Sequence, residues 1–489
     1  MPAIVLNNPG DRIKDRMTKE ATEKVVERWS QELEKQSVND ESSFVETLDL
    51  QCLVYEPEGA RVICNFLRDK VSHVRVALLN DIIATLETTD GLDVLSQFND
   101  LLKDSPLEQV NLDDNALGTR GVTLCADILS RPTLTKISLQ NVGLPAESMI
   151  DLKVALTKES EDDTSVCDHL QEAWFYNNMS GEGGAKEQAE IIGRCRALKF
   201  WKYMGCRAGE LGTRYLAEGL LEMTNNWNGL EQLLLEASLG SSKDDPLGPF
   251  CRALKKLPHL THIMLYDCSL EHSGTKMVVK SLIHIKNQLV SLCLSQNEIT
   301  ALTMKALVPF VVQNCNTLKT LNLENNELTS VGLERLLEGI RNCTEEVGLE
   351  ELLLTDNRIG SRGAVVLLAA KDFMPHLRNL TLDDNGIPDD LVERLREAYG
   401  SALAPFSDDY EFDYDLDDDI EDDEEDDDEE EEEEDADDEE GGEDADDAAI
   451  EAEVATKPIV LVEANAENGL DDLIQRMGRV KLTPGDVSL

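Results

Sequence analysis

From residue 45 to about residue 400 the apolar positions follow one repeating unit, L-x-x-L-x-L-x-x-N/C-x-L. The clearest copies are LEQVNLDDNAL from Leu107, LVSLCLSQNEI from Leu289, LKTLNLENNEL from Leu318, LEELLLTDNRI from Leu349 and LRNLTLDDNGI from Leu377. Weaker copies start at Leu134, Leu170, Leu198, Leu230 and Leu260, and two degenerate ones start near Val45 and Val71. The L-x-L alternation predicts a short strand with its apolar side chains turned into the coil. The second half of each unit predicts a helix: GVTLCADIL after Gly118, VGLERLLEGI at 331–340 and GAVVLLAA at 363–370 place apolar residues at i, i+3 and i+4. About twelve such coils predict an α/β solenoid, with a parallel sheet lining a concave face and helices on the convex side.

The ninth position of the unit holds Asn115, Asn297, Asn326, Asn357 and Asn385, and Cys206 and Cys268 take the same slot. An inward Asn there satisfies backbone groups that a buried bend would otherwise leave unpaired. Gly118, Gly209 and Gly360 follow the strands and suit the tight turn before each helix. Units of about 28–29 residues leave room for a full helix, and in this the chain resembles the long, helix-backed leucine-rich repeats of the ribonuclease-inhibitor type.

The flanks break the pattern. Residues 18–37 read as one amphipathic helix with Val25, Val26, Trp29 and Leu33 on a face and Thr18 as N-cap. Residues 1–44 are thus expected to form a capping region for the bare end of the solenoid, which is placed at 45–406. Residues 407–447 are expected to be a disordered acidic tail, since like charges repel and apolar residues are few. Residues 448–489, with the strip KPIVLVEA and a short helical pattern LDDLIQRMGRV, have no assigned role.

The net charge of −54 sharpens the choice of partner. Of 99 acidic residues, 31 lie between 408 and 447, where there is no Lys or Arg, so 68 acids face 45 bases elsewhere. Phosphates are repelled by such a surface, so nucleic acid is not expected, and a basic protein partner is favoured. Eleven scattered Cys without a CxxC pair predict reduced thiols in a cytosolic or nuclear setting. The start lacks a signal-peptide core and no long apolar run occurs, so membrane insertion is not expected. There is no P-loop, HExxH or GxSxG, and the seven His are dispersed, which predicts neither metal nor cofactor and no conventional active centre.

One segment departs from the repeat. In LTKISLQNVGLP, from Leu134, the Asn stands one place early at 141 and Val142 takes the inward slot. Asn141 is therefore expected at the bend on the rim, either capping its own backbone or reaching a ligand.

Long repeats followed by a dense acidic tail resemble the Ran GTPase-activating proteins, most closely the plant and algal branch over residues 107–220. The segments that carry the resemblance are LEQVNLDDNALGTRGV, LTKISLQNVGL and LQEAWFYNNMSGEGGAKEQAEII. The resemblance implies an activator that is not itself the enzyme and supplies no arginine finger. A rim Asn, here Asn141, would position the glutamine of Ran that orients the attacking water. An amide donates one hydrogen bond and accepts another, so it can lock a neighbouring amide in one orientation. It cannot replace a cation, so charge on the transferred phosphoryl would be met by Ran's own residues and magnesium. The implied contacts to the GTPase are Asp113, Asp114, Gln140, Tyr176, Asn177 and Lys202. The family's Arg of a Gly-Arg pair after the second repeat is Leu86 here, and the plant Trp-Pro-Pro targeting domain is not visible. The further expectations are a GTP-bound Ran-type partner, a Ran-binding protein as an additional one, a monomeric chain, and a cytoplasmic location associated with the nuclear envelope. The competing readings are an acidic leucine-rich-repeat histone-binding chaperone and a passive scaffold; twelve long repeats speak against the first.

Overall fold

The computed structural model describes residues 3–7, 16–37, 44–285 and 288–406. The segments read above as the acidic tail and the C-terminal strip lie outside them. Among the described residues thirteen strands form one parallel sheet whose spatial order is the chain order, and a helix or helical turn crosses back after almost every strand. A separate two-stranded ribbon pairs Arg16–Met17 with Val54–Tyr55. Parallel strands stack about 4.8 Å apart, whereas packed helices need about 8–10 Å. A stack with strands on one side and helices on the other must therefore curve, with the sheet on its inner face.

The core follows the repeat. In the coil from Leu318, Leu318, Leu321, Leu323 and Leu328 are almost wholly buried, while Thr320 and Asn322 between them face outward and are only partly covered. From Phe44–Asp49 onward adjacent strands pair without slippage, so that Ile137 lies between Val110 and Ala173 and Trp201 between Ala173 and Leu233. Trp201 and Tyr203 thus belong to the interior. The inward asparagines form a ladder. The Asn326 amide donates to the Leu294 and Leu323 carbonyls at 3.1 and 2.9 Å, and its Oδ1 accepts from the Asn297 and Ile299 N–H groups at 2.9 and 3.0 Å. Asn115, Asn178, Asn297, Asn357 and Asn385 repeat this in their own coils. In the Cys coils the thiols of Cys206 and Cys268 point at the same kind of carbonyl.

Three features differ from the sequence reading. The sheet does not begin at residue 45: Ala3–Asn7 pairs in parallel with Phe44–Asp49 at its edge. The helix Lys19–Ser37 then packs Val25 and Trp29 inward, and the Trp29 indole donates to the Asn7 carbonyl at 3.0 Å. The Thr18 hydroxyl accepts from the Ala21 N–H at 3.3 Å, as a capping side chain does. Second, the coil assigned to Val71 starts at Val74. Ala77 pairs with Leu48 and Val110, so Ala77 and Leu79 are its inward residues, whereas Val71 lies in a short helical turn. A three-residue shift moves one apolar residue onto another in VSHVRVALL, so that stretch carries two registers and only strand pairing separates them. The helix after Gly118 is also broken in two at Cys125.

Candidate functional site

The eighth position of the unit makes the site. In eleven of the twelve coils this residue has positive φ, including Asp81 (55°), Asp114 (59°), Asn141 (53°), Asn177 (51°), Gly205 (62°) and Asp267 (50°). Asp, Asn and Gly tolerate this left-handed conformation best, which explains their dominance there. Asn141 is therefore in the regular turn slot of its coil, and the irregular residue is Val142, fully buried where its neighbours place Asn115 and Asn178. The Val142 carbonyl accepts from the Leu117 N–H at 3.0 Å, so the backbone does part of the work of the missing amide.

The repeated turn geometry stacks three exposed side chains along the rim. The Asn141 amide nitrogen donates to the Asp114 carboxylate at 3.0 Å, and the Asn141 carbonyl oxygen accepts from the Asn177 amide at 2.9 Å. The bonds of Asn141 therefore go to side chains of the flanking coils, and its backbone N–H donates to the Tyr176 carbonyl at 2.6 Å.

A second row lies one residue earlier, on the sheet face. Asp113 accepts from the Ser138 hydroxyl at 2.7 and 2.9 Å and from the backbone and side-chain N–H groups of Gln140 at 2.7 and 2.9 Å. Lys202 donates to the Gln140 Oε1 at 2.9 Å and stands 4.5 Å from the Tyr176 ring centroid. Burial pushes the Lys202 ammonium below its usual range, and nearby Asp113 pulls it back up. Beneath these, Trp174 stacks on Phe200 at 4.0 Å, with Lys136 at 5.1 Å from the indole.

The predicted residues thus separate by accessibility. Asp114, Asn141, Tyr176 and Asn177 are exposed and adjacent, Tyr176 at 43%. Gln140 and Lys202 are half-buried and spend polar atoms on each other. Asp113 is a correction: only 9% exposed, with both oxygens engaged, it braces the neighbouring strand and is not a free rim acid. The reason is the next coil: Ser138 and Gln140 close over both Asp113 oxygens, whereas Tyr176, at the same seventh position of its own coil, stays exposed. Leu86 sits half-buried in a turn, and the guanidinium of Arg16 donates to the adjacent Thr85 carbonyl at 3.3 Å.

Sequence reasoning missed three neighbours. Asp81 occupies the turn slot of the preceding coil, but the misplaced register hid it; burial and the Asp114 charge raise its pKa. Met179, 63% exposed, follows the ladder residue Asn178 on the rim. Trp174 shares the period-two face with Tyr176 in EAWFY, which is the signal that could have found it. Among the described residues no group of three or more His, Cys, Asp or Glu is placed to hold a metal ion, and no helix is long and apolar enough to cross a membrane. All eleven cysteines are free thiols, and burial pushes Cys125 up to about 12.

No family model matches the chain. It is similar to the ribonuclease inhibitor of Mus musculus, with 23% identity over 329 residues, covering 66% of this chain and 61% of that protein. It is also similar to the human NACHT, LRR and PYD domains-containing protein 14, with 24% identity over 314 residues, covering 63% of this chain and 24% of that protein. The chain therefore matches under two thirds of the length of either relative. Among solved structures, an internalin from Listeria monocytogenes aligns over 69% of this chain and 81% of its own with a TM-score of 0.39 and 14% identity. The strand order and the inward asparagine ladder give this chain a leucine-rich-repeat solenoid fold, and it is similar in sequence to the ribonuclease inhibitors.

Proposed function

We propose that the chain is a GTPase-activating protein for a Ran-type small GTPase in its GTP-bound form, acting through Asn141. The observation that carries this reading is the state of the Asn141 side chain. It is exposed on the rim and held from both sides, by Asp114 and Asn177. An amide has two N–H donors and a carbonyl with two lone pairs. One donor and one lone pair are used in the row, so one of each remains for a docked amide. That is what is required to orient a partner glutamine, which in turn orients the attacking water. The three segments that resemble Ran activators supply the row: Asp114 from the first, Asn141 from the second and Asn177 from the third.

In this reading Asp114, Tyr176 and Asn177 touch the GTPase, while Gln140 and Lys202 support Tyr176 from the sheet face. Asp113 has no contact role. A Ran-binding protein is an additional partner, and the cytoplasmic side of the nuclear envelope is the place of action. The chain contributes position and not charge, so the hydrolytic chemistry stays in the GTPase and its magnesium.

The test is single-turnover hydrolysis on GTP-loaded Ran with catalytic amounts of this protein. Wild type is expected to stimulate, with residues 408–489 present or deleted. Asn141→Ala is expected to lose roughly 100-fold in rate, the scale of a misplaced reacting group, with a much smaller change in half-saturating concentration. No stimulation by wild type, or equal rates for the two proteins, sinks the reading. Histone binding that needs only residues 408–489, without any effect on hydrolysis, would put the acidic chaperone in its place.

A further inference from the structure

We infer that Asp114 and Asn177 are positioning residues that fix which way round the Asn141 amide faces, the inference resting on the reading of Asn141 given above. An Asn side chain can exchange its oxygen and nitrogen by a half-turn at almost no steric cost, and the two arrangements offer opposite hydrogen-bonding edges. Something must choose between them. The row on the rim does so by chemistry. A carboxylate has only acceptors, so the edge of Asn141 that meets Asp114 must be its NH2. The opposite edge is then the carbonyl, and it faces the NH2 of Asn177. The polarity therefore propagates from the acid: Asp114 accepts from Asn141, and Asn141 accepts from Asn177.

The row is bounded on both sides. Asp81 precedes Asp114 in the same turn slot, and two carboxylates cannot hydrogen-bond each other when ionised. The backbones of the two turns are joined, the Asp81 N–H donating to the Asp113 carbonyl at 2.9 Å, and burial and then the Asp114 charge push the Asp81 carboxyl upward. After Asn177 the slot holds Gly205, which has no side chain to continue the row. A single amide, Asn141, is thus clamped on both edges. All three members share a left-handed backbone conformation within a few degrees, at φ of 59°, 53° and 51°, and this repetition keeps the side chains in line.

The decisive variant is the exchange Asp114→Asn with Asn177→Asp. It keeps net charge, side-chain size and residues that tolerate the turn, but it moves the acceptor-only group to the other side. The amide of Asn141 should then reverse. Stimulated hydrolysis at saturating protein is expected to fall at least tenfold relative to wild type, with the thermal unfolding temperature nearly unchanged. Asp114→Asn alone, which leaves both orientations open, should fall between. Neutron diffraction, which separates oxygen from nitrogen, should place the Asn141 nitrogen toward residue 114 in wild type and toward residue 177 in the exchanged protein.

An exchanged protein as active as wild type, while Asn141→Ala is inactive, overturns the positioning role and leaves the activator reading standing. A wild type that fails to stimulate sinks that reading and the catalytic role of the row with it. An amide that does not reverse in the neutron map overturns the polarity argument whatever the activity.

Discussion

At the scale of the residue, the rim depends on left-handed turns that few side chains accept. Gly205 shows the demand most sharply. Its φ is +62°, and a Cβ built there would lie 3.2 Å from the Asn177 nitrogen and 3.3 Å from its Cα. Gly205→Ala is expected to cost about 1–2 kcal/mol for the left-handed backbone alone. It should also press on the coil that carries Tyr176 and Asn177. A lowered urea midpoint, together with weaker stimulation of the GTPase, is the expected result; an unchanged midpoint would show that the turn relaxes freely. Asn141 was legible as a rim residue because Val142 left it no inward place. Its clamp was not legible, since it joins residues 27 and 36 positions away, brought beside it by the solenoid pitch.

The element that holds a coil together is the inward asparagine. Asn326 is nearly buried and serves five backbone groups in two coils, its own and the preceding one. Truncating it leaves several of them unpaired in the interior, each worth about 1–3 kcal/mol when unsatisfied. Asn326→Ala should therefore cost several kcal/mol, roughly 2–5, after local relaxation and entry of water. Because each coil touches only its neighbours, the damage should be local. Hydrogen exchange is expected to quicken in the strands Ser291–Cys293, Thr320–Asn322 and Glu351–Leu353 and to stay slow around Lys136–Gln140. Uniform loosening across the sheet would contradict this. The ladder was readable because an Asn at the ninth position of a leucine-rich frame has one physical use. The start of the coil at Val74 was not, because VSHVRVALL satisfies two registers and tertiary pairing decides between them.

Across the whole molecule, charge is distributed by edge. Where strands begin, bases and acids of adjacent coils pair: Arg75 with Glu108, Lys136 with Glu172, Lys199 with Glu231, and Lys319 and Arg378 with Glu350. Where strands end, the turn slots carry Asp81, Asp114, Asp267 and Asp356. The edge that bears Asn141 is therefore the acidic one, and residues 408–447 add 31 acids and no base to the same chain. A basic face on the partner should be drawn in at a rate that falls with salt, since exposed charges are screened over about 10 Å at 0.1 M. Association measured by stopped flow is expected to slow severalfold between 50 and 500 mM salt, on the order of a loss of electrostatic steering. Deleting 408–489 should flatten that dependence while leaving the contribution of Asn141 to hydrolysis intact. A salt-independent rate would remove steering from the account.

The sequence by itself determined the architecture. A period of apolar residues that can be buried only by stacking dictates a solenoid, and the Asn and Gly positions dictate its bends. Charge composition by itself selected a basic protein over nucleic acid as the expected partner. The tertiary structure alone decided the rest: that the sheet begins at Ala3–Asn7, that Asp113 braces a strand while Asp114 faces out, and that three residues from separate coils share one row. The physical reason is that burial is a property of each residue and its period, whereas the direction of a hydrogen bond between coils depends on register. Register is fixed only when neighbouring strands pair.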